Sequence, residues 1–231
     1  GLVWALIIVL SLTLPTFAYP AYELTPSVSG MGMGNAATGG AQDAGIMFFN
    51  PAAVANLDSG KVGFVFGKEF DFYNYMAMAY SKPGLGFGVI STKAEVTERG
   101  EYGEPIGIAT AKETVGIFSL ARTYGLRDEL SVGANVKLYT EDVFGLRRNG
   151  LALDLGVLFN LNQVKIGLSG MNLAGIVKEQ GEDAESLNPS FRFGVALEPT
   201  DDITVALDIV DKNVHYGGEY KIGCFVLQAG G

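Results

Sequence analysis

The chain is poor in the residues that most often carry chemistry. One cysteine, Cys224, in 231 residues excludes an internal disulfide framework and every multi-cysteine zinc or iron–sulfur site. One histidine, His215, removes all metal motifs built on paired histidines. The 16 basic residues are outnumbered by 25 acidic ones, for a net charge of -9, which opposes binding to nucleic-acid phosphates. Charged residues make up only 18%, below the roughly 25% of an ordinary soluble domain. Prolines number 8. Beyond residue 18 no apolar run approaches the ~20 residues of a membrane-spanning helix. What is plentiful is glycine, 32 residues, about twice its usual share, together with 11% aromatics. That balance points to an all-β chain with unusual surface needs.

Residues Leu2 to Leu14 are apolar except Ser11 and Thr13, and Pro15, Thr16, Phe17 and Ala18 follow. A run of this length ending on a small residue reads as a secretory signal over 1–18. It is short for a spanning helix; a membrane anchor or a buried helix is the alternative. The absence of an initial Met or basic flank suggests that the true N-terminus lies upstream.

From about Lys61 onward apolar and polar residues alternate, the mark of strands with two unlike faces. Segment 130–141 sets Val132, Ala134, Val136 and Leu138 against Asn135, Lys137 and Tyr139. Segment 151–161 sets Leu151, Leu153, Leu155, Val157 and Phe159 against Ala152, Asp154 and Gly156. Segments 164–169, 191–198 and 203–209 repeat the pattern, with Arg192, Gly194 and Asp208 in the polar row. With 61–66, 73–82, 85–92, 112–124, 214–221 and 223–229 this predicts eleven strands. Connections alternate in length: a tight turn at Pro83-Gly84, a long polar loop over 93–111, a short link at 126–129, a longer one at 142–149, short at 162–163, long at 173–188 and short at 199–202. Short turns alternating with long loops are the asymmetry of outer-membrane barrels, although 211–213 departs from it. A soluble sandwich shows the same period of two, with its apolar row inward. Strand length, loop parity and the export-type leader favour an antiparallel transmembrane β-barrel, apolar row to lipid and polar and glycine row to the lumen. Eleven is an odd number, and bacterial barrels close with an even one, so the barrel is expected to be incomplete.

Ahead of the strands, Asn50 is placed to cap a helix and Pro51 suits its first position. Ala52 to Leu57 continue a short helix that Asp58-Ser59-Gly60 ends. This is open to two readings, a hatch in a barrel mouth or a capped helix on a sheet end. Gly32-Met33-Gly34-Asn35-Ala36-Ala37 matches a dinucleotide-binding pattern, but no strand precedes it, and it reads as a flexible glycine-rich turn. Met31, Met33 and Met47 with Phe48 and Phe49 suit either an apolar ligand path or ordinary packing. The acidic segment 93–105, with Glu95, Glu98, Glu101 and Glu104, reads as a solvated loop.

The stretch Ser29-Gly30-Met31-Gly32-Met33-Gly34-Asn35-Ala36, then Asp43, then Phe49-Asn50-Pro51-Ala52-Ala53-Val54-Ala55 resembles the N-terminal signature of the PorV/PorQ family of outer-membrane proteins. More distantly it resembles the FadL family (OMPP1/FadL/TodX) of hydrophobic-solute transporters. His215-Tyr216-Gly217-Gly218-Glu219-Tyr220 followed by Leu227-Gln228-Ala229-Gly230 is similar to a PorV-type strand pair. The resemblance implies a barrel of about fourteen strands around an N-terminal plug, of which this chain would be the N-terminal part. It also implies transport of hydrophobic solutes, or a role in type IX-like protein secretion.

The expected organisation is therefore a signal peptide (1–18), a plug (19–57) and a partial barrel (58–231). Met31, Met33, Asp43, Phe48, Phe49, Asn50 and Pro51 are the expected ligand or plug residues. No catalytic residue, metal or cofactor is expected. The expected partners are outer-membrane lipid and lipopolysaccharide, with a hydrophobic small molecule or secreted protein clients, and no nucleic acid. The alternatives are a barrel hydrolase dependent on His215 and a secreted soluble β-rich binding protein.

Overall fold

The computed structural model describes residues 21, 24–69, 73–99, 102, 104–125, 129–179 and 181–231; the signal-like segment 1–18 lies outside them. Three short helices come first: α1 (Val28–Gly32) and the 3-10 helices η1 (Ala44–Phe48) and η2 (Pro51–Asn56). Each begins on a side chain that accepts an otherwise orphaned N–H: Ser27 from Gly30, Asp43 from Gly45 and Asn50 from Ala52. Residues 28–32 form a helix nucleated by the Ser27 cap, and the glycine-rich turn expected over 32–37 follows it, with Gly34 and Asn35 both at positive φ.

The remaining elements are strands: β1 (Lys61–Glu69), β2 (Tyr73–Lys82), β3 (Leu85–Arg99), β4 (Pro105–Tyr124), β5 (Leu130–Val143), β6 (Leu146–Leu161), β7 (Val164–Met171), β8 (Ile176–Glu179), β9 (Glu185–Ser186), β10 (Ser190–Thr200), β11 (Ile203–Val210), β12 (Asn213–Ile222) and β13 (Phe225–Gly230). All pair antiparallel in one sheet, each long strand beside its neighbour in sequence, with β7 next to β10. The hairpin β8–β9 hangs on β6. Among the described residues β1 pairs with β2 alone and β13 with β12 alone, so the sheet is not closed.

All eleven expected strands are present, but three expected loops are largely strand. β3 and β4 stay paired from Leu85↔Leu120 out to Glu98↔Gly107, across most of the expected 93–111 loop. Backbone pairing needs no apolar face, and the β-branched Thr92, Val96, Thr97, Ile106, Ile108 and Thr110 favour it. Similarly, 142–149 collapses to the two-residue turn Phe144-Gly145, both at positive φ as a type I′ hairpin requires. The expected 173–188 loop carries β8 and β9. β4 has 20 residues, about twice the 9–11 that a tilted strand needs to cross a bilayer. The expected asymmetry between the two ends is therefore carried by strand overhang more than by loop length.

The two rows face as follows. On β6 the outward Leu155 is 46% exposed and the inward Asp154 is 0%. The outward row elsewhere holds Phe64, Met78, Phe87, Phe118, Val136, Phe193, Leu207 and Tyr216, all exposed. The inward row holds Ser81, Ser119, Asn135, Lys137, Asp208 and small residues, all buried. The core lies between this inward row and the helices: Ile46, Met47, Phe48, Phe49, Ala52 and Val54 pack on Ile90, Val115, Ile117, Tyr139 and Leu158.

Candidate functional site

Residues 27–57 touch the inner face of every long strand. Ala44 lies against Gly63 of β1 and accepts from Ser81 of β2 at 2.8 Å. Met47 and Phe48 lie over Gly86 and Gly88 of β3. The Asn56 side chain accepts from Thr123 of β4 at 3.3 Å and Ser131 of β5 at 2.8 Å. Thr38 lies on Gly167 of β7 and Gly194 of β10, and Met33 on Gly217 of β12 and Gly230 of β13. Eleven strands at about 4.8 Å spacing would be about 48 Å wide if flat. So short a segment, carrying three short helices, reaches both edges and the middle because the sheet curls around it.

The fit depends on a groove floored by facing glycines. Gly133 of β5 faces Gly156 of β6, and Gly167 of β7 faces Gly194 of β10. A Cβ at Gly133 would meet the Pro51 backbone at 2.5 Å, and one at Gly156 would fall on the Asn50 carboxamide. The plug backbone occupies the volume that side chains would fill.

Three polar clasps hold the plug to the strands, and a fourth, Asp43, knits the plug internally. Asn50 is fully buried; its Nδ2 donates to the Thr38 carbonyl and to the Val157 carbonyl of β6, each at 3.1 Å, while Oδ1 accepts from Ala52 N at 3.0 Å. Asp208 on β11 accepts from Ala37 N at 3.0 Å and Thr38 N at 2.8 Å. Asp43 ties α1 to η1, accepting from Ser27 Oγ and Ser29 N at 2.7 Å and from Gly45 N at 2.9 Å. The remaining clasp is a buried network on β5 and β6. Lys137, 2% exposed, pairs with Asp154 at 3.0 Å and donates to Asn172 Oδ1 at 3.2 Å. Asn135 Nδ2 bridges Asp154 Oδ2 and the Met47 carbonyl of the plug, both at 3.0 Å. Asp154 Oδ1 accepts from Asn172 N at 2.8 Å. A buried ion pair of this kind is tolerable only with its remaining valences satisfied.

The expected site residues separate into groups. Phe48, Phe49, Asn50 and Pro51 are buried at the centre of the plug, where the Arg192 guanidinium lies over the Phe49 ring at 5.0 Å. Met33 packs apart from them, with Ala36, Ala196 and Ala206. Met31 is 44% exposed on α1, so the methionines do not form one continuous lining. His215 faces inward on β12, its Nδ1 2.9 Å from the Gly34 carbonyl, and serves there as a tie to the plug. The residues not singled out from sequence are the receptors on the strands: Asn135, Lys137, Asp154, Arg192 and Asp208. Each puts a large polar group into a row that faces inward, which is the signal they offered.

A cleft of about 250 Å³ opens between the plug and β1–β2, lined by Pro26, Val28, Val65, Ala77 and Ala79 with Asp43 and Lys61 at its polar side. It lies beside the unpaired edge of β1. Among the described residues no group of His, Cys, Asp and Glu is placed to hold a metal ion, and no helix is long and apolar enough to cross a membrane, which says nothing of strands.

No protein-family model matches the chain, and no curated protein matches it.

Proposed function

We propose that this chain forms the wall and plug of a PorV/FadL-type barrel in a bacterial outer membrane, passing small hydrophobic solutes. The observation that carries the reading is the outward face of the sheet: large apolar residues stand exposed on every long strand, while the buried polar side chains all lie inward among small residues and the apolar ones that pack on the plug. Apolar patches larger than a few hundred Å² are uncommon on soluble monomers, whereas an outward apolar band is the defining surface of a membrane barrel. The leader-like sequence and the resemblance of residues 29–57 support the same compartment. The mainly apolar cleft, small for a polypeptide and comparable to a short amphiphile, supports a solute as cargo.

A second reading, an accessory of protein secretion, is favoured by the plug's contact with all eleven long strands, which leaves the lumen no route for a polypeptide and would make the outer rim the working surface.

Expression in a bacterium with an outer membrane tests both. The protein is expected in the outer-membrane fraction, extractable only with detergent, with gel mobility that changes on heating. Uptake of a fluorescent long-chain fatty acid is expected to exceed that of empty cells. Insertion without uptake would overturn the solute reading and leave the secretion role; a folded protein free in the periplasm would overturn both.

A further inference from the structure

The outward face of β1–β6 carries a row of charge that the plug and lumen do not use. Lys68, Asn74, Lys93, Lys112, Asp142 and Arg147 are successive cross-strand partners, one per strand, in an unbroken register. Neighbours in such a row are about 4.8 Å apart, so the row runs about 24 Å across the wall. Four of its six members are cations in a chain whose net charge is -9. Lys93 and Lys112 face each other directly, an arrangement of like charges that is unfavourable without a counter-charge. Two carboxylates partly answer it: Glu95 pairs with Lys93 at 2.6 Å and Asp142 with Arg147 at 3.2 Å. Within the row itself four cations stand beside one carboxylate, Asp142.

The rows below it change in order. Two residues along each strand, about 7 Å, lie Phe66, Met76, Ser91, Thr114, Thr140 and Asn149, largely hydroxyl and amide on β3–β6. The next row is Phe64, Met78, Val89, Gly116, Leu138 and Leu151, without a polar side chain. Cation, hydroxyl and hydrocarbon follow one another as phosphate, ester and acyl chain do in a lipid leaflet. The row lies toward the overhanging β3–β4 and β5–β6 hairpins, away from the short turns at 83–84, 162–163, 201–202 and 223–224. Short turns mark the periplasmic side of such barrels, which sets the row at the outer leaflet.

We infer that Lys68, Lys93, Lys112 and Arg147 form a binding row for the phosphates of lipopolysaccharide, the multiply phosphorylated glycolipid of that leaflet. Several phosphates on one headgroup match several cations in one register, and basic residues at an anionic membrane surface each strengthen binding. The inference rests on the membrane reading above, and its test separates the two.

The protein is reconstituted into vesicles of phosphatidylcholine containing lipopolysaccharide, phosphatidylglycerol or neither, and lipid retained by the detergent-extracted protein is measured by native mass spectrometry. The wild type is expected to retain lipopolysaccharide in preference to both phospholipids. Lys93→Gln with Lys112→Gln and Arg147→Gln is expected to insert as before and lose that preference, by roughly fivefold per cation removed. Glu95→Gln, which frees Lys93, is expected to strengthen retention, and it keeps the test decisive if the triple variant fails to fold. Equal retention of phosphatidylglycerol would overturn the assignment to lipopolysaccharide. Insertion with no anionic preference, or retention unmoved by either variant, would overturn the row itself and leave the membrane reading standing. Failure to insert into any vesicle would overturn the membrane reading.

Discussion

A methyl group in place of the Asn50 carboxamide removes three hydrogen bonds at once, two of them donated to the Thr38 and Val157 carbonyls. Loss of a cap costs about 0.5–2 kcal/mol, and an unsatisfied buried polar group about 1–3 kcal/mol more. Asn50→Ala is therefore expected to destabilise the plugged state by about 2–4 kcal/mol, read as a shift in the urea midpoint in lipid vesicles. Asn50→Asp keeps the cap but turns both donations into a buried carboxylate facing two carbonyl oxygens, and should cost at least as much as Asn50→Ala. The same reasoning separates the two halves of the Lys137–Asp154 pair. Lys137→Met strands a fully buried carboxylate and is expected to cost about 3–5 kcal/mol. Adding Asp154→Asn removes the stranded charge, so the double variant should unfold at higher urea than Lys137→Met alone. A double variant no more stable than the single would show that the pair's charges do not interact through the buried network.

Strands were readable from sequence wherever one face was apolar. On β6 the alternation from Leu151 to Leu161 stated both the strand and its faces, and the structure returns them residue by residue. It failed where the strands run past the apolar belt: over 93–99 and 105–111 both faces are mixed, so a rule that seeks hydrophobic alternation sees a loop. The Asn50 cap and the Pro51 start were readable because capping is local. The receptors were not, because Met47 to Asn135 spans 88 residues and Ala37 to Asp208 spans 171; a polar side chain mid-strand announces a partner without naming it. The outward row makes its own prediction. Leu155 lies mid-strand and outward, so Leu155→Arg is expected to cost about 2–4 kcal/mol of stability in a bilayer. Urea titration in vesicles checks this. An unchanged midpoint would mean that the outward row does not meet hydrocarbon.

Taken whole, the molecule turns its large apolar side chains outward and fills its inner face with its own N-terminal segment. The plug is held by its clasps and by the Met47, Phe48 and Phe49 side chains, whose exposure would cost roughly 25 cal/mol per Å² of apolar area. The wall, however, does not depend on the plug for its strand pairing, since every long strand is bonded to its neighbours. Its inward row is mixed: Ser81, Ser119, Asn135, Lys137, Asp154 and Asp208 would be hydrated if uncovered, while Ile90, Val115, Ile117 and Leu158 would lose their apolar cover. Removing residues 29–57 should therefore leave a folded wall around a wet lumen rather than a collapsed sheet. In vesicles that carry the wall as part of a closed barrel and are loaded with a small fluorescent dye, that deletion is expected to raise efflux well above the intact protein, while heat-modifiable mobility persists. The Asn50→Ala variant, which loosens the plug without removing it, should give an intermediate efflux. If the deletion leaves efflux at the intact level with the wall shown to be folded, residues 29–57 are not what stops the lumen, and their docking in the glycine groove would have to serve assembly of the wall instead.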